Sequence, residues 1–492
     1  MYKNNNAITV DELYAPVLIV GTGIGGLVTA YYLSRNNIDY IIVTKGQNPK
    51  SGNTILAPGN TRIPHSNEID SLVDLSVEQC GSPRYLLNEI YKHSDFIKNF
   101  YENIDLKYKK TVFGIIPTNS KYKLGGRAVV ESLLPRITKP VTCKYLLQIK
   151  KIDNYICSYF YDYNTDMITR IISYSLVLAT GGYGSLFSYN DNHISATGEG
   201  ILIAKEAGAR LKGMSTVMYH PWSVSNGKRI LVGDIVSLSG GNVIDNNGTQ
   251  LIKDQYLVEL IKYNMYHNRF QDILKEEFKI IKEGNEIFLD LRCTAKKQMS
   301  DLLKLYGYRA ELLHNGLIKV FPTVHYTSGG IEVDKNCEAK GFKNLFVTGE
   351  AQFNGDKGCG RLPGQAFTAS IVCGEIISNA IIAKRFETFH APERINTFDL
   401  PKLFIRFYSK KNYNIDSVRK HQKQLGRLLT RLTSKMFSSR SFFDMKEELN
   451  TLESTLFHMK GCRKCFLKIL KVYFTCGIVK EIINDVQQYN HI

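Results

Sequence analysis

The sequence predicts an α/β protein in which an inserted region interrupts the α/β core and a helical region ends the chain. Three observations predict it. Apolar runs alternate with helical stretches over residues 16–45, which is typical of βαβ units. A strand followed by glycines returns at residues 175–182 and 343–385, after a polar and charged stretch at residues 215–325. From about residue 400 the pattern is helical, without a strong strand signal.

Composition limits the possible classes of protein. The 492 residues are enough for two to four domains at roughly 100–200 residues each. With 43% hydrophobic and 22% charged residues, wholesale disorder and fibrous classes are excluded. The start of the chain lacks an apolar leader, and no run of about 18 apolar residues occurs. We therefore expect a cytoplasmic protein without a transmembrane segment.

The cysteines do not indicate a disulfide scaffold or a metal centre. Ten cysteines in a chain of this length are too dilute for a disulfide framework. Cys462 and Cys465 form a lone CxxC pair, whereas a zinc site needs two further ligands. We interpret the pair as two thiols on a helix and predict no metal.

The positive charge is concentrated near the C-terminus. The net charge is +17, and residues 401–440 contain eleven Lys and Arg against one acid, Asp416. An apolar and a basic stripe recur there at helical spacing, which predicts an amphipathic helix around residues 419–435. The stripes are Leu425, Leu428, Leu429, Leu432 and Met436, and Lys420, Lys423, Arg427, Arg431 and Lys435. Such a face is solvated, docks a protein partner or binds a polyanion. The lack of an RNA-binding motif and of interleaved aromatic residues argues against nucleic acid.

The first chemical motif lies near the N-terminus. An apolar strand at residues 17–20 is followed by a glycine-rich turn and then by a helix. The turn consists of Gly21, Thr22, Gly23, Ile24, Gly25 and Gly26. In a GxGxxG turn the first glycine permits the tight bend, the second lets a pyrophosphate approach, and the third lets helix and strand pack closely. The motif therefore predicts a dinucleotide site at the helix N-terminus.

The second strand, residues 40–43, ends at Thr44 and Lys45. An NAD site usually places an acidic residue there, because it binds the ribose hydroxyls. The Thr-Lys pair argues against an ordinary NAD dehydrogenase.

Thr44 and Lys45, followed by SGNTILAPGN at residues 51–60, resemble the flavin-binding segment of the fumarate reductase, succinate dehydrogenase and L-aspartate oxidase flavoprotein superfamily. The resemblance implies that FAD is the cofactor and that Asn53, Thr54 and Gly59 lie beside it. In respiratory members, a His at the position of Asn53 bonds covalently to FAD. The resemblance therefore implies non-covalent FAD here, as in L-aspartate oxidases.

Four later segments resemble the same superfamily in the expected order. They are SLVLATGG at residues 175–182, TGEG at residues 197–200, NLFVTGE at residues 344–350 and GRLPGQA at residues 360–366. Among them, the resemblance assigns five further residues to FAD: Gly182, Glu199, Glu350, Gln365 and Ala366. The departures are Pro58 and Asn60, where the family has Gln and Gly, and Glu199, where it has Asp.

The resemblance also implies a domain organisation, closest in layout to L-aspartate oxidase. A Rossmann-like FAD-binding domain is divided between residues 1–214 and 326–398. An α+β capping domain is inserted at residues 215–325, and a basic helical region follows at residues 399–492. We expect the cap to close over a small substrate and to exclude water.

The reaction implied by the resemblance moves a hydride between flavin and a small carboxylate. His220 lies in a segment like the family's Gln-Phe-His-Pro, and His325 lies in a segment like its Pro-x-x-His-Tyr. Arg361 matches the arginine that clamps the substrate carboxylate, a task suited to a planar guanidinium. His220, His325 and Arg361 are therefore the candidate catalytic residues of an L-aspartate oxidase-like or fumarate/succinate-type oxidoreductase.

One departure concerns the proton. The family's Arg-Gly-Glu-Gly corresponds to residues 237–240, which read Ser-Leu-Ser-Gly, so the proton-transferring Arg is missing from that segment. Arg229 or Tyr219 are candidate replacements. The acidic segment that L-aspartate oxidases place near residues 116–121 is also absent. Two alternatives stay open: a catalytically altered flavoprotein that serves as a binding or assembly subunit, and a basic flavoprotein acting on RNA.

Overall fold

The computed structural model of the chain describes residues 10–111, 114–119, 121, 124–225, 229–231, 242–251, 266–292, 316–357, 361–384, 400–409, 413–434, 439–456, 458–461 and 463–490. Within these ranges the chain alternates strands and helices up to residue 384 and is helical from residue 402.

The strands are β1 Val10–Tyr14, β2 Val17–Val20, β3 Tyr40–Val43, β4 Lys107–Thr111, β5 Gly114–Thr118, β6 Lys144–Ile152, β7 Tyr155–Asp162, β8 Met167–Ser173, β9 Ser175–Leu178, β10 Leu211–Lys212, β11 Val217–Ser225, β12 Arg229–Leu231, β13 Asn242–Asp245, β14 Ile287–Asp290, β15 Leu317–Thr327, β16 Gly330–Ile331 and β17 Leu345–Val347.

The α-helices are α1 Ile24–Arg35, α2 Ile69–Cys80, α3 Arg84–Lys92, α4 Ile97–Asn103, α5 Gly125–Leu133, α6 Glu199–Glu206, α7 Tyr266–Lys282, α8 Gln365–Ala383, α9 Lys402–Phe407, α10 Ile415–Thr433, α11 Ser439–Leu456 and α12 Arg463–Asn490.

A parallel sheet with the strand order β17-β9-β2-β3 forms the centre of the α/β core. Its strands are short and almost wholly buried, as expected for a parallel sheet covered on both faces. Helix α8 packs against α1 so closely that a Cβ on Gly374 would lie 2.9 Å from Val28 Cγ1. Strands near residues 20, 178 and 347 end at one edge of this sheet, where a parallel α/β fold binds its ligand.

A second sheet, with the order β1-β8-β7-β6, was not predicted from the sequence. Strands β6, β7 and β8 form an antiparallel meander, while β1 joins β8 in parallel. Strands β7 and β8 are buried along nearly their whole length. A strand buried on both faces lacks the alternating pattern that identifies a half-exposed strand, which is why this sheet escaped detection.

The inserted region contains an antiparallel sheet with the order β12-β11-β15-β14-β13, and helix α7 packs on it. Strands β11 and β15 pair with two interruptions of register, at Met218/Tyr219 and at His220/Ser223. Such bulges re-aim side chains and occur beside active sites. The predicted cap boundaries at residues 215 and 325 stay a prediction, and this sheet extends from residue 217 to residue 327.

The C-terminal region is helical within the described residues. Asn414 begins α10, because its side chain accepts hydrogen bonds from the backbone N–H of Asp416 and Ser417. The predicted apolar stripe of α10 is buried, at Leu425, Leu428, Leu429 and Leu432, and α10 packs against α12. Met436 and Lys435, the remaining members of the two predicted stripes, lie outside the described residues.

Hydrogen bonds join this helical region to the start of the inserted region. The hydroxyls of Tyr219 and Thr433 lie 2.7 Å apart, and Asp485 accepts from the backbone N–H of Ser215 at 2.9 Å. Both contacts lie where the chain enters the inserted region. The C-terminal helices therefore support the base of the insertion.

Among the described residues, α8 is long and apolar enough to span a membrane by length and composition, and 61% of its most apolar window is buried. Burial on this scale follows from its packing against α1. The described cysteines, including Cys465, are buried free thiols, and Cys462 lies outside the described residues. Among the described side chains, no cluster of three His, Cys, Asp or Glu offers a metal site.

Candidate active site

The glycine-rich turn after β2 is shaped by close backbone approaches. Gly21 has a φ of +113°, and a Cβ there would lie 2.2 Å from the carbonyl oxygen of Ala179, so only glycine fits. A Cβ on Gly26 would lie 2.2 Å from Gly21 O, and one on Gly25 would lie 2.5 Å from Thr348 Oγ1. Gly23 differs, because its nearest neighbour would be Thr54 Oγ1 at 3.6 Å. The protein itself therefore leaves room beside Gly23.

Three helices of the α/β core begin at glycines. Gly23, Gly198 and Gly364 are the N-caps of α1, α6 and α8, and within the described chain none of these caps has a side chain that bonds the first turn. Helix N-termini with available N–H groups bind phosphate and other anions. At α1, the N–H of Ile24 donates to Thr54 Oγ1 at 3.1 Å, so the flavin-segment Thr lies directly against the predicted pyrophosphate turn.

These residues fit a bound dinucleotide. In the described part of the chain, the hydroxyls of Thr180 and Thr348 are buried without a hydrogen-bond partner. Both residues follow strands of the parallel sheet, next to the glycine turn and to α6. A Cβ on Gly182 would lie 2.1 Å from Thr327 Oγ1 and 2.6 Å from Glu350 Oε1. Glycines, helix N-termini and unsatisfied hydroxyls thus surround one cradle, as the chemistry of FAD binding requires.

Lys45 and Glu199, which the sequence assigns to the cofactor, form an ion pair. Lys45 Nζ lies 2.5 Å from Glu199 Oε1 and donates to Thr197 Oγ1 at 2.7 Å. The hydroxyl of Thr197 donates in turn to Glu199 Oε2 at 2.5 Å. The pair joins the end of β3 to the start of α6, two segments separated by more than 150 residues. Thr44, next to Lys45, is buried.

Asn53 is the centre of a second network. Its Nδ2 donates to Asn192 Oδ1 at 2.7 Å and to Glu350 Oε2 at 2.9 Å, and its Oδ1 accepts from the backbone N–H of His193 at 2.8 Å. Burial raises the pKa of Glu350, and hydrogen bonds from Thr327 and Asn53 partly offset this. The amide of Asn53 therefore bonds to three neighbours instead of presenting a nucleophilic nitrogen. Further along the segment, Gly59 packs against the backbone of α5.

The structure brings His220 and His325 together. Their rings, from β11 and β15, have centroids 6.3 Å apart. Burial lowers the pKa of His220 to about 3, with a further lowering from the neighbouring His325. The Nδ1 atom of His220 accepts from the backbone N–H of Trp222 at 3.3 Å. His325 Nδ1 lies 2.7 Å from Asp191 Oδ2, a contact that sequence reasoning missed.

Arg361 lies beside the residue that follows His325. Its guanidinium carbon is 4.0 Å from the ring centroid of Tyr326, a cation–π contact, and Arg361 is 7% exposed. The Gln365 side chain accepts from the backbone N–H of Leu362 at 2.8 Å, which stabilises the turn between Arg361 and α8. Ala366 lies in the first turn of α8. His220 and His325 are therefore neighbours, and Arg361 contacts the residue that follows His325 on β15.

Of the two candidate replacements for the missing arginine, the structure describes the side chain of Tyr219 but not that of Arg229. The Tyr219 hydroxyl lies 2.7 Å from the Thr433 hydroxyl, and its ring packs edge-on against Phe278, so Tyr219 has a structural partner. Arg229 lies in β12, and its side chain lies outside the described residues, as does the whole segment 237–240. A buried carboxyl that sequence reasoning missed, Glu277, accepts from the Trp222 indole at 2.7 Å. Burial raises the pKa of Glu277 well above its ordinary value.

The comparison with protein families agrees with this geometry. The sequence profile of the FAD binding domain family matches residues 16–80 and 153–366, which is more than half of the chain. The chain belongs to this family. The matched residues include the glycine turn, the Asn53 segment, both histidines and Arg361. The predictions of the family, of FAD as cofactor and of an FAD-dependent oxidoreductase are confirmed.

Two curated relatives illustrate the range of the match. The flavoprotein is 26% identical over 388 residues to an L-aspartate oxidase of Clostridium perfringens, covering 73% of this chain and 84% of the relative. It is 29% identical over 229 residues to a fumarate reductase flavoprotein subunit of Escherichia coli, covering 42% of this chain and 38% of that subunit. The second alignment thus spans well under half of the relative's length.

A solved structure confirms the predicted fold class. A quinol fumarate reductase structure from E. coli superposes with a TM-score of 0.79 at 18% identity, covering 96% of this chain and 89% of that chain. At this identity the likeness concerns the fold: a Rossmann-like FAD-binding domain, a capping domain and a helical C-terminal region.

Proposed function

We propose that the flavoprotein transfers a hydride between FAD and a small dicarboxylate, in an L-aspartate oxidase-like or fumarate/succinate-type reaction. One observation supports the proposal: the rings of His220 and His325, on the paired strands β11 and β15, have centroids 6.3 Å apart. The buried Arg361 lies over the ring of Tyr326, the residue that follows His325. A dicarboxylate has two anionic groups, and this set offers a guanidinium and two imidazoles to bind them. The named activities of the relatives support the same substrate class.

The protein's residues have separate tasks in this reaction. Bound FAD supplies a group that accepts or donates a hydride. Arg361 binds one substrate carboxylate through its planar fork, and the ring of Tyr326 holds the guanidinium in place. His220 is neutral at physiological pH, and its Nδ1 accepts from the backbone N–H of Trp222, so its Nε2–H is the donor available to the substrate. The inserted sheet carries both histidines, and exclusion of water on substrate binding would strengthen these electrostatic contacts.

Anaerobic flavin spectroscopy tests this proposal. The purified holoprotein is mixed with succinate or L-aspartate, and bleaching of the oxidised flavin band is followed. In the reverse direction, chemically reduced protein is mixed with fumarate, and return of the band is followed. We expect at least one of these acids to change the flavin's redox state. If none does, the alternative of a binding or assembly subunit replaces this proposal.

We further propose that FAD is held without a covalent bond. The support is Asn53, whose amide occupies the position of the family's flavin-linking His and is bonded to Asn192, Glu350 and His193. After acid precipitation of the holoprotein, we expect the yellow cofactor in the supernatant. Flavin that stays with the denatured pellet would contradict this. The Asn53→Ala variant serves as a control, since it removes the side chain without adding a nucleophile.

We also propose that the basic face of α10 docks a protein partner of acidic surface. Lys420, Lys423 and Arg427 are exposed on this helix, opposite the buried leucines. One relative is named a flavoprotein subunit, which describes a protein that works within an assembly. Binding of the full-length protein to an acidic partner through α10 should weaken steeply with added salt, because exposed charges are screened. Retention on RNA at physiological salt would favour the nucleic-acid alternative instead.

A further inference from the structure

The two histidines of the site have opposite hydrogen-bond partners at Nδ1. His220 Nδ1 accepts from the backbone N–H of Trp222, so the ring hydrogen of neutral His220 is on Nε2. His325 Nδ1 faces the carboxylate of Asp191 at 2.7 Å, and a carboxylate only accepts. The hydrogen of neutral His325 is therefore on Nδ1, and its Nε2 carries a lone pair. The same residue type thus presents a donor at one position and an acceptor at the other.

Asp191 is held in place by backbone pairing to β15. Its N–H donates to the carbonyl of Val324 at 3.2 Å, and the N–H of Val324 donates to the carbonyl of Tyr189 at 3.0 Å. The adjacent Asn192 side chain donates to Val324 O at 2.9 Å. The side chain of Asp191 is 11% exposed. Because the loop extends the ladder of β15 at the residue before His325, the carboxylate is fixed against the ring.

This geometry has a consequence for anion binding. A carboxylate that approaches Nε2 of neutral His325 meets a lone pair, and two acceptors repel each other. When a proton from solvent adds to Nε2, the ring becomes an imidazolium between two carboxylates, those of Asp191 and of the ligand. We propose that Asp191 is a positioning residue that couples dicarboxylate binding to uptake of one proton by His325. The inference rests on the proposed carboxylate site, and it concerns binding, whatever reaction follows.

His220 does not share this behaviour, because burial keeps it neutral. Three other charged or titratable groups border the pair among the described residues. They are Glu277 on α7, reached through Trp222; Arg361, reached through Tyr326; and Glu350, reached through Thr327. Each of these groups has a separate hydrogen-bond or ring partner. The ring of His325 faces Asp191 and His220 most directly.

Calorimetry of malonate binding to the full-length holoprotein tests the coupling. Malonate is a dicarboxylate without two adjacent CH groups, so it cannot be desaturated and binding is measured alone. Titrations in two buffers with different ionisation enthalpies, from about pH 7 to pH 9, give the number of protons taken up, since the probe's carboxyls are already ionised there. We expect uptake to approach one proton as pH rises. The Kd should then rise about tenfold per pH unit.

Variants separate Asp191 from its surroundings. Asp191→Asn keeps the shape but removes the charge, and we expect it to weaken malonate binding about 10- to 100-fold at about pH 8, by analogy with partners that orient metal-bound histidines. Its proton uptake should fall at the same pH. Asp191→Glu should restore part of both. Asp416→Asn, on the exposed first turn of α10, is the matched control and should match wild type.

Nitrogen NMR of histidine-labelled protein gives a readout independent of binding. In wild type we expect His220 as the Nε2–H form and His325 with hydrogen on Nδ1, and malonate should convert His325 alone to the doubly protonated form. The inference is overturned if malonate binds without proton uptake, or if Asp191→Asn takes up as many protons as wild type. Either result leaves the proposed function intact. Malonate binding with proton uptake, but no redox change with any acid, supports the inference and removes the proposed reaction. A failure of every dicarboxylate to bind removes both.

Discussion

The dinucleotide cradle and the carboxylate site are built in different ways. The cradle consists mainly of backbone, because six consecutive residues, 21–26, form its turn. A Cβ on Gly21 or on Gly26 would lie 2.2 Å from a backbone oxygen, so both positions require glycine. The carboxylate site consists of side chains, and His220, His325 and Arg361 come from three distant segments. A backbone site is encoded by local spacing, whereas a side-chain site depends on strand register. The predictions below test this difference, from the largest expected effect to the smallest.

The largest effect is expected at Arg361. Arg361→Ala should lower kcat/KM by about 2–5 kcal/mol of transition-state binding, as when one partner of a buried charge pair is truncated. This corresponds to roughly 30-fold to a few thousand-fold at about 1.4 kcal/mol per tenfold. Arg361→Lys should restore only part, because an ammonium cannot reproduce the planar fork. Anaerobic flavin reduction against substrate concentration measures both variants.

The flavin spectrum is the control for Arg361. It should persist in both variants, because Arg361 binds substrate and not the cofactor in this assignment. If Arg361→Ala is reduced as fast as wild type with equal affinity, the carboxylate clamp does not exist.

A second effect concerns pH and stability. His220 has a pKa of about 3 in the folded protein against an ordinary value of 6.5, so between these values the unfolded chain binds more protons. The contribution of neutral His220 to the free energy of unfolding should therefore be complete above about pH 6.5. The free energy of unfolding should fall as pH drops, by about 3 kcal/mol at pH 4. Denaturant titrations across this range measure the slope. His220→Gln should flatten it, and an unchanged slope would show that His220 is not held neutral.

The cradle is tested at Gly23. Its φ of −71° suits any residue, and an added Cβ would contact the protein at no less than 3.6 Å. Gly23→Ala should therefore leave the FAD-free protein stable but crowd the pyrophosphate, weakening FAD by about 1–3 kcal/mol, as for an added methyl in a packed site. Isothermal titration of apoprotein with FAD measures the Kd.

Gly26→Ala is the matched contrast for Gly23→Ala. Its Cβ would lie 2.2 Å from Gly21 O, so the Tm of the FAD-free protein itself should fall. Equal FAD affinity in Gly23→Ala and wild type would place the pyrophosphate away from this turn.

The smallest effect is expected on the C-terminal helix. Replacing Lys423, Arg427 and Arg431 with Gln should leave flavin content and turnover of the isolated protein nearly unchanged. These side chains are exposed, and the ion pair of Arg431 with Glu448 at 3.2 Å is a surface pair worth about 0–1 kcal/mol. A large fall in turnover would instead make this face part of the active site.

Much of the fold followed from local patterns. The strands at 17–20, 40–43 and 175–178, the helix after Gly23 and the amphipathic helix near residue 425 were predicted, because apolar periodicity and glycine spacing encode them directly. The sheet of β6, β7 and β8 was not predicted, because strands buried on both faces lack alternation. The polar and charged stretch noted at residues 215–325 contains one long helix within the described residues, α7, at Tyr266–Lys282.

From the sequence by itself, the glycine turn predicted a dinucleotide site, because it acts through backbone geometry. The resemblance to the flavoprotein superfamily implied FAD and the candidate carboxylate residues His220, His325 and Arg361. Only the tertiary structure decided how the histidines differ. Asp191 meets His325 because a loop pairs with β15 beside Val324, and Trp222 meets His220 because β11 is bulged there. Asp191 and His325 are 134 residues apart in sequence, and one residue of strand register reverses the face on which a side chain lies.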